Sequence, residues 1–158
     1  MSNSRISSST DFSSSSPWRS PVEISILPAT LNDVADICDL EYQTFPNDSF
    51  NETTIANQLL VGGGVIASSP KGSIGYALLG YDNGLTDILR LGVSKQWRRM
   101  GVGTKLLKSV QDKHRCSMLC VRQDNWAALL LYMKLGFKII GEYAQTPTAK
   151  SWVMLKTS

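Results

Sequence analysis

The chain has 158 residues, with 16 Lys and Arg against 13 Asp and Glu, which gives a net charge of +3. This length predicts one domain with a sizeable core, and no apolar run approaches the roughly 18–20 residues that cross a bilayer. Seven of the basic residues lie from Lys95 to Arg115 beside one acid, Asp112, so positive charge is concentrated there. A solvated helix face would explain the lysines of this segment equally well. Nucleic-acid binding is not expected, because basic residues interleaved with exposed aromatic ones are missing.

The first 20 residues differ in composition from the rest of the chain. They contain ten serines and no aliphatic run, so they cannot bury enough surface to offset their ordering entropy. We therefore expect a disordered tail over 1–20 and a single domain over 21–158. Serine-rich, acid-poor tails also occur in organelle transit peptides, so a cytoplasmic location is expected with an organelle as the alternative. The cysteines, Cys38, Cys116 and Cys120, show no metal-ligand spacing, which favours a reducing compartment and argues against zinc.

The remaining chain carries alternating strand and helix patterns. Strand-like runs cover 22–27, 65–67, 74–81, 85–93, 117–121, 137–143 and 152–156. Helical spacing follows Thr30, covers 51–60, begins again near Gly101 and covers 125–135. Thr30 and Asp33 have the spacing of a capping box, and Gly136 is a helix stop. The order β-α-α-β-β-β-α-β-α-β-β predicts an α/β (α+β) fold, a mixed sheet of about seven strands flanked by helices.

A strand, a turn and a helix start predict an anion-binding site between Ile88 and Gly103. The apolar run Ile88–Val93 is typical of a buried strand, and the turn Arg98–Gly103 leads into a helical pattern. The first amides of a helix have no acceptor within it, and the helix dipole favours negative charge there. Gly101 and Gly103 have no Cβ, so a phosphate can approach the backbone closely. The spacing matches neither of the common nucleotide-binding glycine motifs.

Two segments together resemble the GNAT superfamily of acetyltransferases. Arg98–Gly103 is similar to the Arg/Gln-x-x-Gly-x-Gly/Ala signature that holds the pyrophosphate of acetyl-coenzyme A in that family. Some 20 residues downstream, the segment 121–137 shows Val-Arg-x-x-Asn, Ala, Leu-Tyr and Gly-Phe at the family's spacings. The resemblance covers about residues 22–157 and implies a GNAT fold. Within the superfamily, Leu91–Val93 and the Arg98 turn look closest to protein N-terminal α-amine acetyltransferases, including the ribosomal-protein-alanine type.

The resemblance implies a reaction and a set of partners. The acetyl group of acetyl-CoA would pass to a primary amine, with a protein or peptide N-terminal amine as the expected acceptor. A small amine (a polyamine, an aminoglycoside or an amino acid) is one alternative, and a non-catalytic acyl-CoA-binding module is another. No metal, nucleic acid or membrane is implied as a partner, and both a monomer and a homodimer stay open.

The resemblance also implies roles for individual residues. Tyr132 would be the general acid that protonates the leaving thiolate, although a core tyrosine with a hydrogen-bonded hydroxyl is the alternative. The implied cofactor contacts are Leu91, Gly92, Val93, Arg98, Arg99, Met100, Gly101, Val102, Gly103, Thr104 and Asn125. Phe45 and Pro46 are implied acceptor contacts, because the Phe45-Pro46 break resembles the substrate-side loop of peptide N-terminal acetyltransferases. An ordinary helix connection would explain that break equally well. Glu41 falls near the apolar stripe of the preceding helix and could approach a substrate amine, with a boundary residue as the alternative. Tyr143, at a strand end, would add an aromatic surface suited to a peptide backbone.

The general base is the point at which the sequence departs from its relatives. Some relatives carry Glu or His at the position of Cys120, and some carry Tyr at the position of Asp87. We expect Cys120 to pack in the core, because it lies between Leu119 and Val121 in an apolar run. Asp87 is the remaining candidate and could accept a proton directly or through water. A salt bridge from Asp87 to Arg90, or a role in the turn, stays open.

Overall fold

A computed structural model of the chain describes residues 23–113, 116–144 and 146–157. The strands are β1 (Ser25–Pro28), β2 (Gly64–Ser69), β3 (Gly72–Asp82), β4 (Leu85–Val93), β5 (Cys116–Arg122), β6 (Lys138–Ala144) and β7 (Lys150–Thr157). The helices are α1 (Val34–Thr44), α2 (Glu52–Val61), α3 (Val102–Lys113) and α4 (Trp126–Lys134), with short 3-10 turns at Leu31–Asp33 and Lys95–Trp97. The tail predicted over 1–20 lies outside the described residues. No helix within the described ranges is long and apolar enough to cross a membrane.

The strands form one sheet in the order β1-β2-β3-β4-β5-β7-β6. All neighbours pair antiparallel except β4 and β5, which are parallel. A parallel pair needs a long crossover, and α3 supplies it between these two strands. The predicted fold class, a mixed seven-stranded sheet flanked by helices in the expected order, is confirmed.

Each face of the sheet is covered by helices and carries its own hydrophobic cluster. On one face Val102, Leu106, Leu107 and Val110 of α3 pack with residues such as Ile88 and Leu119; these four are the apolar face that the sequence predicts. On the other face Ile37 of α1 and Ile55 of α2 pack against Tyr76 and Leu78 of β3. Since successive strand residues face opposite sides, β3 contributes to both clusters and is the centre of the domain.

The predicted capping box at Thr30 is present. The Thr30 side chain accepts a hydrogen bond from the Asn32 amide at 3.2 Å, and the Asp33 carboxylate accepts one from the Thr30 amide at 2.8 Å. These bonds use amides that would have no acceptor at the start of a helix. The first turn is a 3-10 turn, and the chain continues as α1 from Val34.

A bulge in β4 determines where the sheet opens. Leu78 of β3 pairs with Arg90, whereas Leu79 pairs with Ile88, so Leu89 is an extra residue in β4. The parallel pairing with β5 runs from Thr86 to Ile88 and ends at this bulge. Because a bulge bends its strand, the rest of β4 diverges from β5 and a cleft opens between them.

Candidate active site

An open cleft of about 790 Å³ lies where β4 and β5 separate. One end is formed by the turn before α3 and by the first residues of that helix. The other end is formed by Thr44 and Phe45, where α1 ends, and α4 contributes Leu131 and Tyr132. The cleft therefore joins the predicted anion site to the predicted acceptor loop.

The turn before α3 has the backbone geometry of an anion cradle. The Lys105 amide donates to the Gly101 carbonyl at 3.0 Å, so the amides of Val102, Gly103 and Thr104 precede the first helical hydrogen bond. Gly101 has a φ of 82° and Arg99 a φ of 64°, a left-handed conformation that a residue with a side chain rarely adopts. Glycine adopts this conformation freely, so the strained residue of the turn is Arg99, and strained residues are concentrated at functional sites.

Most of the predicted cofactor contacts line this cleft. These are Leu91, Val93, Arg98, Arg99, Gly101, Val102, Gly103, Thr104 and Asn125. Met100 is not among the residues that line it, and its side chain is exposed. Gly92 is not among them either, and an added Cβ there would lie 2.4 Å from the Tyr76 ring. The missing side chain of Gly92 thus makes room for Tyr76, and a contact of its backbone with the cofactor stays a prediction.

Asn125 starts the helix that brings Tyr132 to the cleft. Its side-chain oxygen accepts a hydrogen bond from the Ala128 amide at 3.2 Å, which caps α4. With the oxygen used in this way, a ligand in the cleft would meet the NH₂ group of the same side chain. Capping fixes where α4 begins, and so fixes the position of Tyr132 two turns later.

Tyr132 lies at the wall of the cleft and is only 9% exposed. Its ring packs edge-on against Phe137, with 5.9 Å between the ring centroids and 63° between the planes. Burial raises the pKa of Tyr132 to about 12, so its hydroxyl keeps its proton at neutral and moderately alkaline pH. A protonated hydroxyl beside a cleft is suited to donate a proton.

The expected packing role of Cys120 is wrong, because its side chain is exposed and lines the cleft. Its neighbours Leu119 and Val121 are buried on the opposite face, as strand alternation requires. Partial burial, and then the charge of Asp87, raise the pKa of the Cys120 thiol. The thiol is therefore neutral at physiological pH and a poor proton acceptor.

Asp87 lies on the same side of the sheet as Cys120 but does not line the cleft. It pairs with Gly80 on β3 and with Met118 on β5. Since its charge affects the Cys120 thiol, its carboxylate is within electrostatic reach of the cleft.

The predicted acceptor contacts are only partly brought together. Phe45 lines the cleft, whereas Pro46 lies in the exposed turn after α1 and Tyr143 lies on the edge strand β6, half exposed. Glu41 is 0% exposed, so the expectation that it approaches an acceptor amine is corrected. Its carboxylate is used inside the protein, where it accepts hydrogen bonds from the Tyr76 hydroxyl and from the Phe50 amide.

Sequence reasoning missed the partner of Glu41 on the cleft wall, Arg90. The Arg90 Nε lies 3.1 Å from Glu41 Oε1, and Arg90 lines the cleft. The available signal was the charge of Arg90 inside the otherwise apolar run Ile88–Val93, since a buried charge needs an opposite one nearby. Among the described residues that line the cleft there are four arginines (Arg90, Arg98, Arg99 and Arg122) and no Asp or Glu. The described residues also include no group of His, Cys, Asp or Glu that could hold a metal ion.

Comparison with known proteins identifies the family. Residues 58–139, just over half of the chain, match the family model described as the acetyltransferase (GNAT) domain. The chain therefore belongs to the GNAT family and is an acetyl-CoA-dependent N-acetyltransferase. A search of curated proteins found no match.

Solved structures with the same fold extend over almost the whole described region. The ribosomal-protein-S18-alanine N-acetyltransferase of Escherichia coli is 20% identical, with a TM-score of 0.77 over 85% of this chain and 94% of that one. Naa50 of Arabidopsis thaliana, in complex with the bisubstrate analogue CoA-Ac-MVNAL, is 22% identical, with a TM-score of 0.73 over 85% and 99%. The PaiA N-acetyltransferase of Thermoplasma acidophilum, in complex with coenzyme A, is 15% identical, with a TM-score of 0.72 over 86% and 99%. At these identities the similarity establishes the fold.

Proposed function

We propose that this enzyme transfers the acetyl group of acetyl-CoA to the N-terminal α-amine of a protein or peptide. The observation that carries the proposal is the two-ended cleft, with an anion cradle at the start of α3 and the Phe45 loop at the far end. Such a cleft lets a thioester and an amine enter from opposite ends and meet near Tyr132. Acyl transfer gains most from holding two reactants in line, and a preformed cleft provides this alignment.

The cradle fits the pyrophosphate of coenzyme A. The first-turn amides of α3 supply hydrogen-bond donors, and Arg98 and Arg99 supply positive charge at the same turn. Beyond Ile88 the backbone of β4 has no partner on β5, so Leu91 and Val93 offer peptide groups that can pair with the amides of the pantetheine arm. Asn125 would add its side-chain NH₂ group.

The remaining residues of the site would donate and accept the protons that the reaction moves. A neutral amine attacks the thioester carbonyl, and the departing sulfur takes up a proton while the amine nitrogen loses one. Tyr132 would donate to the sulfur, since burial keeps its hydroxyl protonated. Asp87 would receive the amine proton through water, because Glu41 is buried and the Cys120 thiol is neutral.

The charges of the cleft support a peptide acceptor over a polycation. A polyamine or an aminoglycoside carries several positive charges and would need carboxylates, whereas the described lining of the cleft includes no Asp or Glu. Solved relatives with this fold include enzymes whose names refer to protein N-termini, such as the S18-alanine enzyme, and one acting on a small molecule, the IAA acetyltransferase of Bacillus cereus. A small amine is therefore the second candidate.

A screen that measures thiol release separates these candidates. The purified protein is incubated with acetyl-CoA and with a peptide library beside a panel of polyamines, aminoglycosides and amino acids. We expect release with peptides that have a free N-terminus. Thiol release with small amines alone would mean that the acceptor is a small amine. Binding of acetyl-CoA without thiol release on any acceptor would indicate a non-catalytic module.

The Asp87→Asn variant tests the proposed base. We expect the rate of the variant to rise with pH only at higher pH than that of the wild type, because the variant lacks the proposed proton acceptor. The amine must then deprotonate in solution, at its own pKa of about 8. The measurement is the pH profile of kcat/KM for the acceptor.

The Cys120→Ala variant is the matched control for that profile. Because the thiol is neutral and exposed, we expect the profile to be unmoved and the free energy of unfolding to change by about 0.5 kcal/mol or less. A shifted profile in Cys120→Ala with an unshifted one in Asp87→Asn would assign the proton path to Cys120.

The Arg98→Ala variant tests how much the Arg98 side chain, as distinct from the backbone amides, contributes to acetyl-CoA binding. Arg98 is exposed, and its Nε donates to the Val93 carbonyl at 3.2 Å. An exposed charge contributes modestly, so we expect the Kd for acetyl-CoA to rise by about tenfold or less in calorimetry. Complete loss of binding would mean that the Arg98 side chain, and not the backbone, holds the pyrophosphate.

A further inference from the structure

Arg90 is the most heavily engaged side chain at the acceptor end of the cleft. Its guanidinium lies between two aromatic rings, 4.1 Å from the centroid of Phe45 and 4.0 Å from that of Phe50. It also donates to the Asp48 carbonyl and lies 3.6 Å from the Asp48 carboxylate. The Arg90 side chain is 13% exposed in this arrangement. Three residues of the loop between α1 and α2 thus contact one planar cation on β4.

The same guanidinium reaches a buried carboxylate beneath the loop. Glu41 Oε1 lies 3.1 Å from the Arg90 Nε, and the Tyr76 hydroxyl donates to the same oxygen. Glu41 Oε2 accepts from the Phe50 amide at 2.7 Å. Since an unpaired buried charge is unfavourable, the Glu41 carboxylate holds the Arg90 guanidinium in place.

The orientation of Arg90 is a consequence of the bulge at Leu89. Ile88 faces the α3 side of the sheet, and strict alternation would turn Arg90 to that side as well. The extra residue reverses the phase, so Arg90 faces α1 and reaches Glu41. One irregularity in β4 therefore both ends the pairing with β5 and directs Arg90 at the loop.

We propose that Arg90 is a positioning residue that fixes the α1–α2 loop, residues 45–51, as a rigid wall of the acceptor site. This inference rests on the proposed function, since it concerns the acceptor of the same reaction. The guanidinium holds the Phe45 ring at the cleft before any acceptor arrives. The first residue of the acceptor then meets a preformed apolar surface, and the enzyme selects acceptors by how that residue fits it.

The test combines two substitutions and two kinds of measurement. In Arg90→Met we expect the KM for the peptide acceptor to rise by about tenfold to a hundredfold, because the loop loses its fixed position. The KM for acetyl-CoA should stay at the wild-type value, because the cradle at α3 is untouched. Hydrogen exchange should become faster at the Phe45, Asp48 and Phe50 amides, which are hydrogen-bonded in the native loop.

The double variant Glu41→Gln with Arg90→Met separates positioning from charge compensation. It removes the buried charge that Arg90→Met would leave unpaired, so it also guards against a variant that fails to fold. If Arg90 positions the loop, the double variant keeps the high acceptor KM and the fast loop exchange. If Arg90 only compensates Glu41, the double variant recovers the wild-type acceptor KM, and the inference is overturned.

The exchange measurement keeps this inference distinct from the proposed function. Should the wild type acetylate no peptide, the proposed function fails, while faster loop exchange in the double variant still supports the positioning role. Should the wild type acetylate peptides with an acceptor KM that Arg90→Met leaves unchanged, the proposed function stands and the positioning role is contradicted.

Discussion

Replacing Tyr132 by Phe is expected to lower kcat by roughly 10²–10⁴-fold, the usual contribution of general acid catalysis. The affinity for acetyl-CoA should hardly change, because the ring still packs against Phe137 and only the hydroxyl is lost. Burial raises the pKa of Tyr132 to about 12, so the hydroxyl is protonated at neutral and moderately alkaline pH. The kcat profile of the wild type should accordingly show no falling alkaline limb from this group below about pH 11.

The Tyr42→Phe variant is a matched control for this substitution. Tyr42 lies on α1, is 66% exposed and does not line the cleft, so the same chemical change is made away from the site. We expect its kcat to equal that of the wild type. Full activity in Tyr132→Phe would remove the assignment of the general acid and would indicate that water protonates the sulfur.

Replacing Gly101 by Val is expected to abolish measurable acetyl-CoA binding in calorimetry. A Cβ at Gly101 would meet no protein atom within 4 Å, so the added side chain would enter the open space of the cleft. The positive φ of 82° adds a cost in stability, because a β-branched residue rarely adopts it. Strained positions of this kind cost roughly 1–3 kcal/mol, so the variant is expected to be less stable but folded.

Gly84→Val is the matched control because it carries the same strain outside the cleft. Gly84 lies in the turn between β3 and β4 with a φ of 79°, and a Cβ there also meets nothing within 4 Å. We expect a similar loss of stability in thermal unfolding and an unchanged Kd for acetyl-CoA. Normal binding by Gly101→Val would mean that the pyrophosphate lies elsewhere, and weak binding by both variants would mean that strain alone explains the loss.

Local patterns predicted most of this fold. The apolar face of α3 and the strand runs follow from periods of 3.6 and 2 residues. The capping box at Thr30 follows from the spacing of Thr30 and Asp33, so all three depend on near neighbours only. The lining residues Arg98, Arg99 and Gly101–Thr104 could be predicted because they all lie in one short turn and the helix start that follows it. Signals of this kind need no knowledge of which strands are neighbours.

The features that sequence patterns did not predict depend on long-range pairing. The bulge at Leu89 is hidden because, apart from Arg90, every position of the run Ile88–Val93 is apolar or glycine, so the run has no alternation in which a change of phase would be visible. Because the sequence does not show on which residue the alternation of side chains along β4 shifts, it does not show to which side of the sheet Arg90 points. Its contact with Glu41, 49 positions earlier, is therefore also not predictable. Cys120 was misplaced for a related reason: its buried neighbours suggested a buried strand, whereas the sheet opens on its side.

The most direct test of the proposed function is to locate the acetyl group on an acceptor peptide. The purified enzyme is incubated with acetyl-CoA and a peptide that carries a free N-terminus and one internal lysine, and the product is fragmented in a mass spectrometer. The account predicts one acetyl group, on the N-terminal α-amine, and none when that amine is blocked beforehand. Acetylation of the lysine side chain alone, or of polyamines with no peptide product, would contradict it.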